Sequence, residues 1–363
     1  MKNIVVQCAN NIAHHYHVYG IVKELSMMNN SRTTVIHHDS CSDVSLFEMN
    51  NVFIKNQKYK PFSGIEQLAR FINIKLKRIK TVDNYLLLKS ADVIKNADVF
   101  ICTDLIVGKR IKEFNPNCKV VWALHGAVAN SFMNSVDTDG VDLILSCGET
   151  TTNAVGSGFN GKIVEVGSVK LHSCKSNDKK VSKIELFGNE NRTVLYNPHF
   201  NNKIGARSWD DHGIELLDWF KNNSDFNLIF SPHPMLVKKI DESILSQYKT
   251  DNIHIDLGGS RSMNMSYEPV VDVYIGDVSS HALEYMSMNQ RTFVFHSNQD
   301  LSNESTTMHK HGRTFNSFDE FSSELLNKIS ENEAEIQKRY ISTVFSPVTN
   351  PCSLSASVIM DLL

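Results

Sequence analysis

The stretch Val271–Met286, VDVYIGDVSSHALEYM, decides how this chain is read. An apolar, β-branched run from Val271 to Ile275 stops at Gly276 and Asp277. Ala282, Leu283, Tyr285 and Met286 then recur at helical spacing. The pattern is a buried strand, a turn and a helix, with Asp277, Ser279 and Ser280 on the turn. The first N–H groups of a helix have no intrahelical partner, and with the helix dipole they favour an anion. Serine is also an ordinary N-cap residue. Taken alone, the stretch suits a capped helix as well as an anion site.

The same alternation extends in both directions. Short apolar runs occur at Asn3–Cys8, Thr33–His37, Val52–Ile54, Asp98–Cys102, Lys119–Leu124, Val141–Ser146 and Ile163–Val166. A second series runs through Thr193–Tyr196, Asn227–Phe230, Ile253–Asp256, Val271–Ile275 and Thr292–Phe295. Continuous apolar strands alternating with helices predict parallel sheets covered on both faces. The expected class is α/β, with two doubly wound Rossmann-like domains facing across a cleft. Residues 1–172 form the expected acceptor domain and 193–345 the nucleotide-donor domain. The polar stretch 173–192 joins them, and a tail, 346–363, packs back on the first domain. In such sheets ligands bind at the carboxyl ends of the strands, at the switch point.

The 363 residues exceed one ordinary core, and the 41% apolar content is enough for two. A formal charge of −3 gives no global signal for nucleic acid. The seven cysteines are odd in number, scattered and without a CxxC pair, which reads as free thiols in a reducing compartment. The start, MKNIVVQCANN, lacks the apolar length of a signal peptide, and no run reaches the length of a membrane span. The expected location is cytoplasmic. Gln67–Lys80, QLARFINIKLKRIK, has an apolar stripe edged by cations. It suits a core helix with a solvated basic edge, or a helix resting on the inner membrane face.

Two further turns carry histidines at strand ends. Ser231-Pro232-His233-Pro234 follows Asn227–Phe230, and two prolines fix the backbone around His233. Trp122-Ala123-Leu124-His125-Gly126 follows the run beginning at Lys119, and Gly126 lets another group approach its backbone. Together these pieces predict an enzyme that activates a hydroxyl beside a nucleotide diphosphate.

The ordered series resembles the CDP-glycerol glycerophosphotransferase family, the teichoic-acid and capsule enzymes with a GT-B-type fold. The matching pieces are Leu124–Gly126, LILSCGETTTNAV with VEVGSVK, LYNPHF (Leu195–Phe200), SPHP (Ser231–Pro234) and Gly276–Phe295. The resemblance implies His125 as base for the acceptor hydroxyl, and His233, Ser279 and Ser280 as holders of the donor phosphates. It implies Glu284 beside the donor's glycerol or ribose. Gly126, Asn197, His199, Pro232 and Asp277 complete the expected donor site. The sequence departs from the family pattern at Leu124, Ala127-Val128, His199–Asn202, Val278 and Glu284. The departures concern the donor's alcohol or sugar more than its phosphates. Transferases of CMP-activated acidic sugars, sialic acid or Kdo, share a His-Pro turn with a later Ser-Ser turn and form the alternative. A nucleotide-sugar epimerase is a third reading.

His14, His15 and His17 follow the first strand and are candidates for the acceptor side. Asp137-Thr138-Asp139 has the form of a metal-binding DxD but precedes a strand instead of ending one. The reading therefore needs no metal and no cofactor beyond a CDP- or CMP-linked donor. The expected partners are that donor and a saccharide or lipid-linked acceptor, with membrane contact through 67–80.

Overall fold

The structure, a computed structural model, describes residues 1–8, 12–38, 45–57, 90–103, 108–124, 126–127, 138–156, 158–175, 180–200, 208–296 and 307–363. The basic stretch 67–80, His125 and Asp137 lie outside the described residues. The chain divides into two compact units. The first holds Met1–Gly126, Met133–Ser173 and Ser346–Leu363, and the second holds Ala127–Phe132 and Cys174–Phe345.

Seven parallel strands build the first unit: β1 Lys2–Gln7, β2 Ser31–His38, β3 Val52–Gln57, β4 Val99–Cys102, β5 Lys119–Ala123, β6 Leu143–Ser146 and β7 Lys162–Glu165. Their order is β3-β2-β1-β4-β5-β6-β7. Alternate residues feed opposite faces. Ile4, Val6, Val99, Ile101 and Val121 pack into one core, and Val5, Phe100, Cys102, Val120 and Trp122 into the other. This is why the central runs are continuously apolar: β4, β5 and β6 are buried on both faces of the sheet.

Helix α1, Ile12–Ser26, covers the first of these faces through Val18, Ile21, Val22 and Leu25. The terminal helix α2, Pro351–Met360, lies against it through Cys352, Ala356 and Ile359. Asn350 caps α2 by accepting Ser353 N–H at 3.0 Å, and Pro351 sits at the first helical position, where no N–H is missed.

The second unit repeats the plan with β8 Arg192–Asn197, β9 Phe226–Phe230, β10 Ile253–Ile255, β11 Val273–Gly276, β12 Thr292–His296 and β13 Arg313–Phe315. All pairs are parallel, in the order β10-β9-β8-β11-β12-β13. Val194, Tyr196, Leu228, Phe230, Val273 and Ile275 face a core completed by Leu216, Leu217 and Phe220 of helix α3, Ser208–Asn222. On the other face Tyr274 meets Tyr285 of helix α4, Ser280–Met288, with ring centroids 5.5 Å apart. Both sheets have the strand order of doubly wound dinucleotide-binding folds. The architecture is thus α/β with two Rossmann-like sheets, the GT-B type.

Every apolar run singled out in the sequence forms a strand, with ends shifted by up to three residues. β13 carries no sequence signal, because Arg313-Thr314-Phe315 is too short and polar to show a pattern. The stretch 173–192 is not a bare connection. It contains the helix Lys183–Phe187, capped by Ser182, and Lys183 pairs with Asp272 at 2.6 Å within the second unit.

Candidate functional site

In the second unit the strand order reverses between β8 and β11, so the ligand crevice of this fold opens at their carboxyl ends. Asn197 ends β8 and pairs in register with Gly276, which ends β11. A Cβ on Gly276 would stand 2.6 Å from the Asn197 carbonyl oxygen, so only glycine allows the strands to close here. The turns after β8, β9 and β11 bear His199, His233 and Asp277–Ser280.

Side-chain bonds tie these turns together. Asn197, 7% exposed, donates through Nδ2 to the Ser231 carbonyl, ahead of the His233 turn. Its Oδ1 accepts Tyr274 O–H at 2.8 Å and lies 3.3 Å from Nδ1 of His281 on α4. Asp277 is 1% exposed. Its Oδ2 accepts the His199 N–H at 2.8 Å and the Ser208 hydroxyl at 2.8 Å, and its Oδ1 accepts the Ser208 N–H at 3.0 Å. The carboxylate thus caps α3 and holds the β8 turn. Both of its oxygens are engaged by the chain itself.

His233 is half-buried and is the N-cap of a single helical turn, Pro234–Val237. Its N–H donates to the Pro198 carbonyl at 3.0 Å, and its Nδ1 accepts the Met235 N–H at 3.1 Å. A ring nitrogen that accepts carries no proton, so in the neutral ring the proton sits on Nε2, which is then a donor. Burial pushes the His233 imidazole down to about 4, which keeps the ring neutral near pH 7. Burial, and then the neighbouring His233, push His199 down to about 3. Pro232 is buried beneath the turn.

Ser279 caps α4, its hydroxyl accepting the Ala282 N–H at 3.2 Å. The hydroxyl of Ser280 donates to the Ala127 carbonyl at 3.1 Å. Glu284, expected beside the donor's glycerol or ribose, is only 2% exposed and lies in the buried part of α4 with Leu283 and Tyr285. Facing a ligand would require its surroundings to open.

In the first unit the switch point lies between β1 and β4. His14, on the first turn of α1, brings Nδ1 to 3.1 Å from the Thr103 hydroxyl at the end of β4. His15 is fully enclosed, edge-on to His37 at 5.4 Å and Phe47 at 5.5 Å, which is the place of a core residue and not of an acceptor contact. His17 is half-buried on the same helix. Gly126 has φ 91°, a conformation that favours glycine. Among the described residues no group of three His, Cys, Asp or Glu is placed to hold a metal ion, and no helix is long and apolar enough to cross a membrane.

Sequence reasoning missed Tyr274, His281, Ser208 and Ser262. Ser262 receives the Ser231 hydroxyl at 2.7 Å, and Tyr196 reaches Ser208 at 3.3 Å. None of the four falls at a spacing that marks it.

No protein-family model matches the chain, and no curated protein matches its sequence. Solved structures do match its fold. The wall teichoic acid polymerase TagF superposes with a TM-score of 0.64 at 14% identity, over 99% of this chain and 89% of that one. S. aureus MnaA with UDP gives 0.57 at 12% identity, over 99% and 95%. UDP-GlcNAc 2-epimerase from Neisseria meningitidis, bound to UDP-GlcNAc, gives 0.58 at 13% identity, over 100% and 99%. Identities this low speak to fold alone.

Proposed function

We propose that this chain is a transferase that moves a glycerol-phosphate-type group from a CDP-alcohol to an acceptor hydroxyl in the synthesis of a cell-surface polymer. The observation that carries the reading is the second unit's switch point. There a neutral His233 with its proton on Nε2, and the Ser279-capped start of α4, stand on turns cross-linked by Asn197 and Asp277. Donors fixed in advance at a strand end are what a diphosphate needs, because its negative charge must be held while the leaving group departs. The resemblance in sequence and the TagF fold support the same class.

In this reaction the acceptor oxygen attacks the β-phosphorus. The bond from that phosphorus to the bridging oxygen breaks, and CMP leaves with the electron pair. The acceptor proton goes to a base, which we assign to His125 on sequence position alone. His233, Ser279 and Ser280 stabilise the charge on the diphosphate and on departing CMP. Ser280 would exchange its bond to the Ala127 carbonyl for one to phosphate. Positioning and charge stabilisation are the main needs of such an in-line displacement.

Nucleotide-sugar epimerisation is the second reading, favoured by epimerase folds that fit about as well as TagF. A CMP-sugar glycosyltransferase would use the same phosphate site. Calorimetric titration with CDP-glycerol, CDP-ribitol, CMP-sialic acid, CMP-Kdo and UDP-GlcNAc, followed by product analysis, separates the three. A phosphodiester product from a CDP-alcohol supports the proposal. A glycosidic product, or an epimerised nucleotide sugar, overturns it.

A further inference from the structure

His199, Phe200 and His233 form one aromatic cluster after β8 and β9. The two imidazole rings stand edge to face with centroids 4.8 Å apart, and Phe200 lies 4.6 Å from each. Both histidines are tethered through the main chain, His199 to Asp277 and His233 to the Pro198 carbonyl. Two charged side chains bond to the main chain of this cluster. Asp277, after β11, is turned to the His199 backbone and to Ser208. Lys239, beyond the His233 turn, reaches the Phe200 carbonyl at 3.4 Å.

We propose that the His199–His233 pair is a proton-linked clamp: neutral before a ligand binds, it takes up a proton when the dianionic diphosphate of a nucleotide ester docks. The inference rests on the reading that this switch point holds the donor's phosphates. Burial disfavours the charged imidazole, and an anion within hydrogen-bond reach reverses that preference. Two rings this close repel when both are charged, so the pair shares a single added proton. The change in affinity with pH equals the number of protons taken up, so binding tightens as pH falls. In CDP-glycerol both phosphates are esterified, and the diphosphate charge is constant between about pH 5.5 and 8. Any pH dependence in that range therefore belongs to the protein.

The test is calorimetric titration of the full chain with CDP-glycerol across this pH range, in buffers of different ionisation enthalpy. We expect uptake of up to about one proton per ligand near pH 6 and affinity about tenfold tighter at pH 5.5 than at pH 8. Replacing both rings, His199→Gln with His233→Gln, should remove the uptake, since either ring alone can still take the proton. Affinity independent of pH, with no proton uptake, overturns the clamp and leaves the donor reading intact. If CDP-glycerol does not bind at any pH, the donor reading fails instead. The clamp is then tested with sulfate, a dianion throughout this range. The imidazole signals of histidine-labelled protein, assigned with His199→Gln and His233→Gln, should titrate at higher pH when sulfate is present. Unchanged titration of both rings overturns the proposal.

Discussion

The carboxylate of Asp277 accepts the backbone N–H of His199 at 2.8 Å, across the seam where β8 and β11 lie side by side. One buried acid thereby sets the position of a histidine 78 residues away in sequence. Replacing it with alanine leaves the His199 N–H, the Ser208 N–H and the Ser208 hydroxyl without their acceptor. We expect Asp277→Ala to cost about 2–4 kcal/mol of stability and to abolish donor binding. Urea denaturation checks the first effect and calorimetry the second. Donor affinity equal to wild type would rule out the positioning role.

His233 offers the reverse case, a half-buried side chain whose loss the fold can absorb. His233→Ala is expected to lower turnover by about 10²–10³ while shifting Tm little, because removing one preorganised donor at a developing charge has that effect. Wild-type-like turnover would remove His233 from the mechanism.

At Gly276 the main chain of β8 leaves no room for a side chain. Gly276→Ala must push the Asn197 carbonyl aside, since the new methyl carbon would sit 2.6 Å from it. A loss of about 1–3 kcal/mol and weaker donor binding are expected. Gly156→Ala is the control: its nearest neighbour would be 3.7 Å away, so stability should be unchanged or slightly raised.

The two depressed imidazoles also fix a pH window for stability. Above about pH 6.5 histidine is neutral in both the folded and the unfolded chain, and the pair makes no pH-dependent contribution. As pH falls below that value the unfolded chain takes up protons first, because the folded His233 and His199 wait until about 4 and about 3. Stability should therefore decline from about pH 6.5 toward pH 3–4. Denaturation midpoints at pH 7 and pH 5 measure the decline, which should be shallower in a His199→Gln/His233→Gln double variant. An equal slope in that variant would assign the acid sensitivity to other groups.

How far these conclusions were legible in sequence differs from element to element. Strands such as Val120–Ala123 and Val273–Ile275 could be read directly, because a parallel strand covered on both faces must be apolar at every position. The Ser279 cap and the His233 turn were legible because serine before an apolar helix, and histidine between prolines, are local constraints on the backbone. Only the tertiary structure separated His14 from His15. Neighbours on one helix face different surroundings, so one approaches Thr103 and the other fills the core against His37 and Phe47. Only the structure, too, bonded Asp277 to the His199 main chain and enclosed Glu284. Those roles depend on which strands become neighbours, and the strand order is settled by packing between residues far apart in sequence, which local spacing does not record.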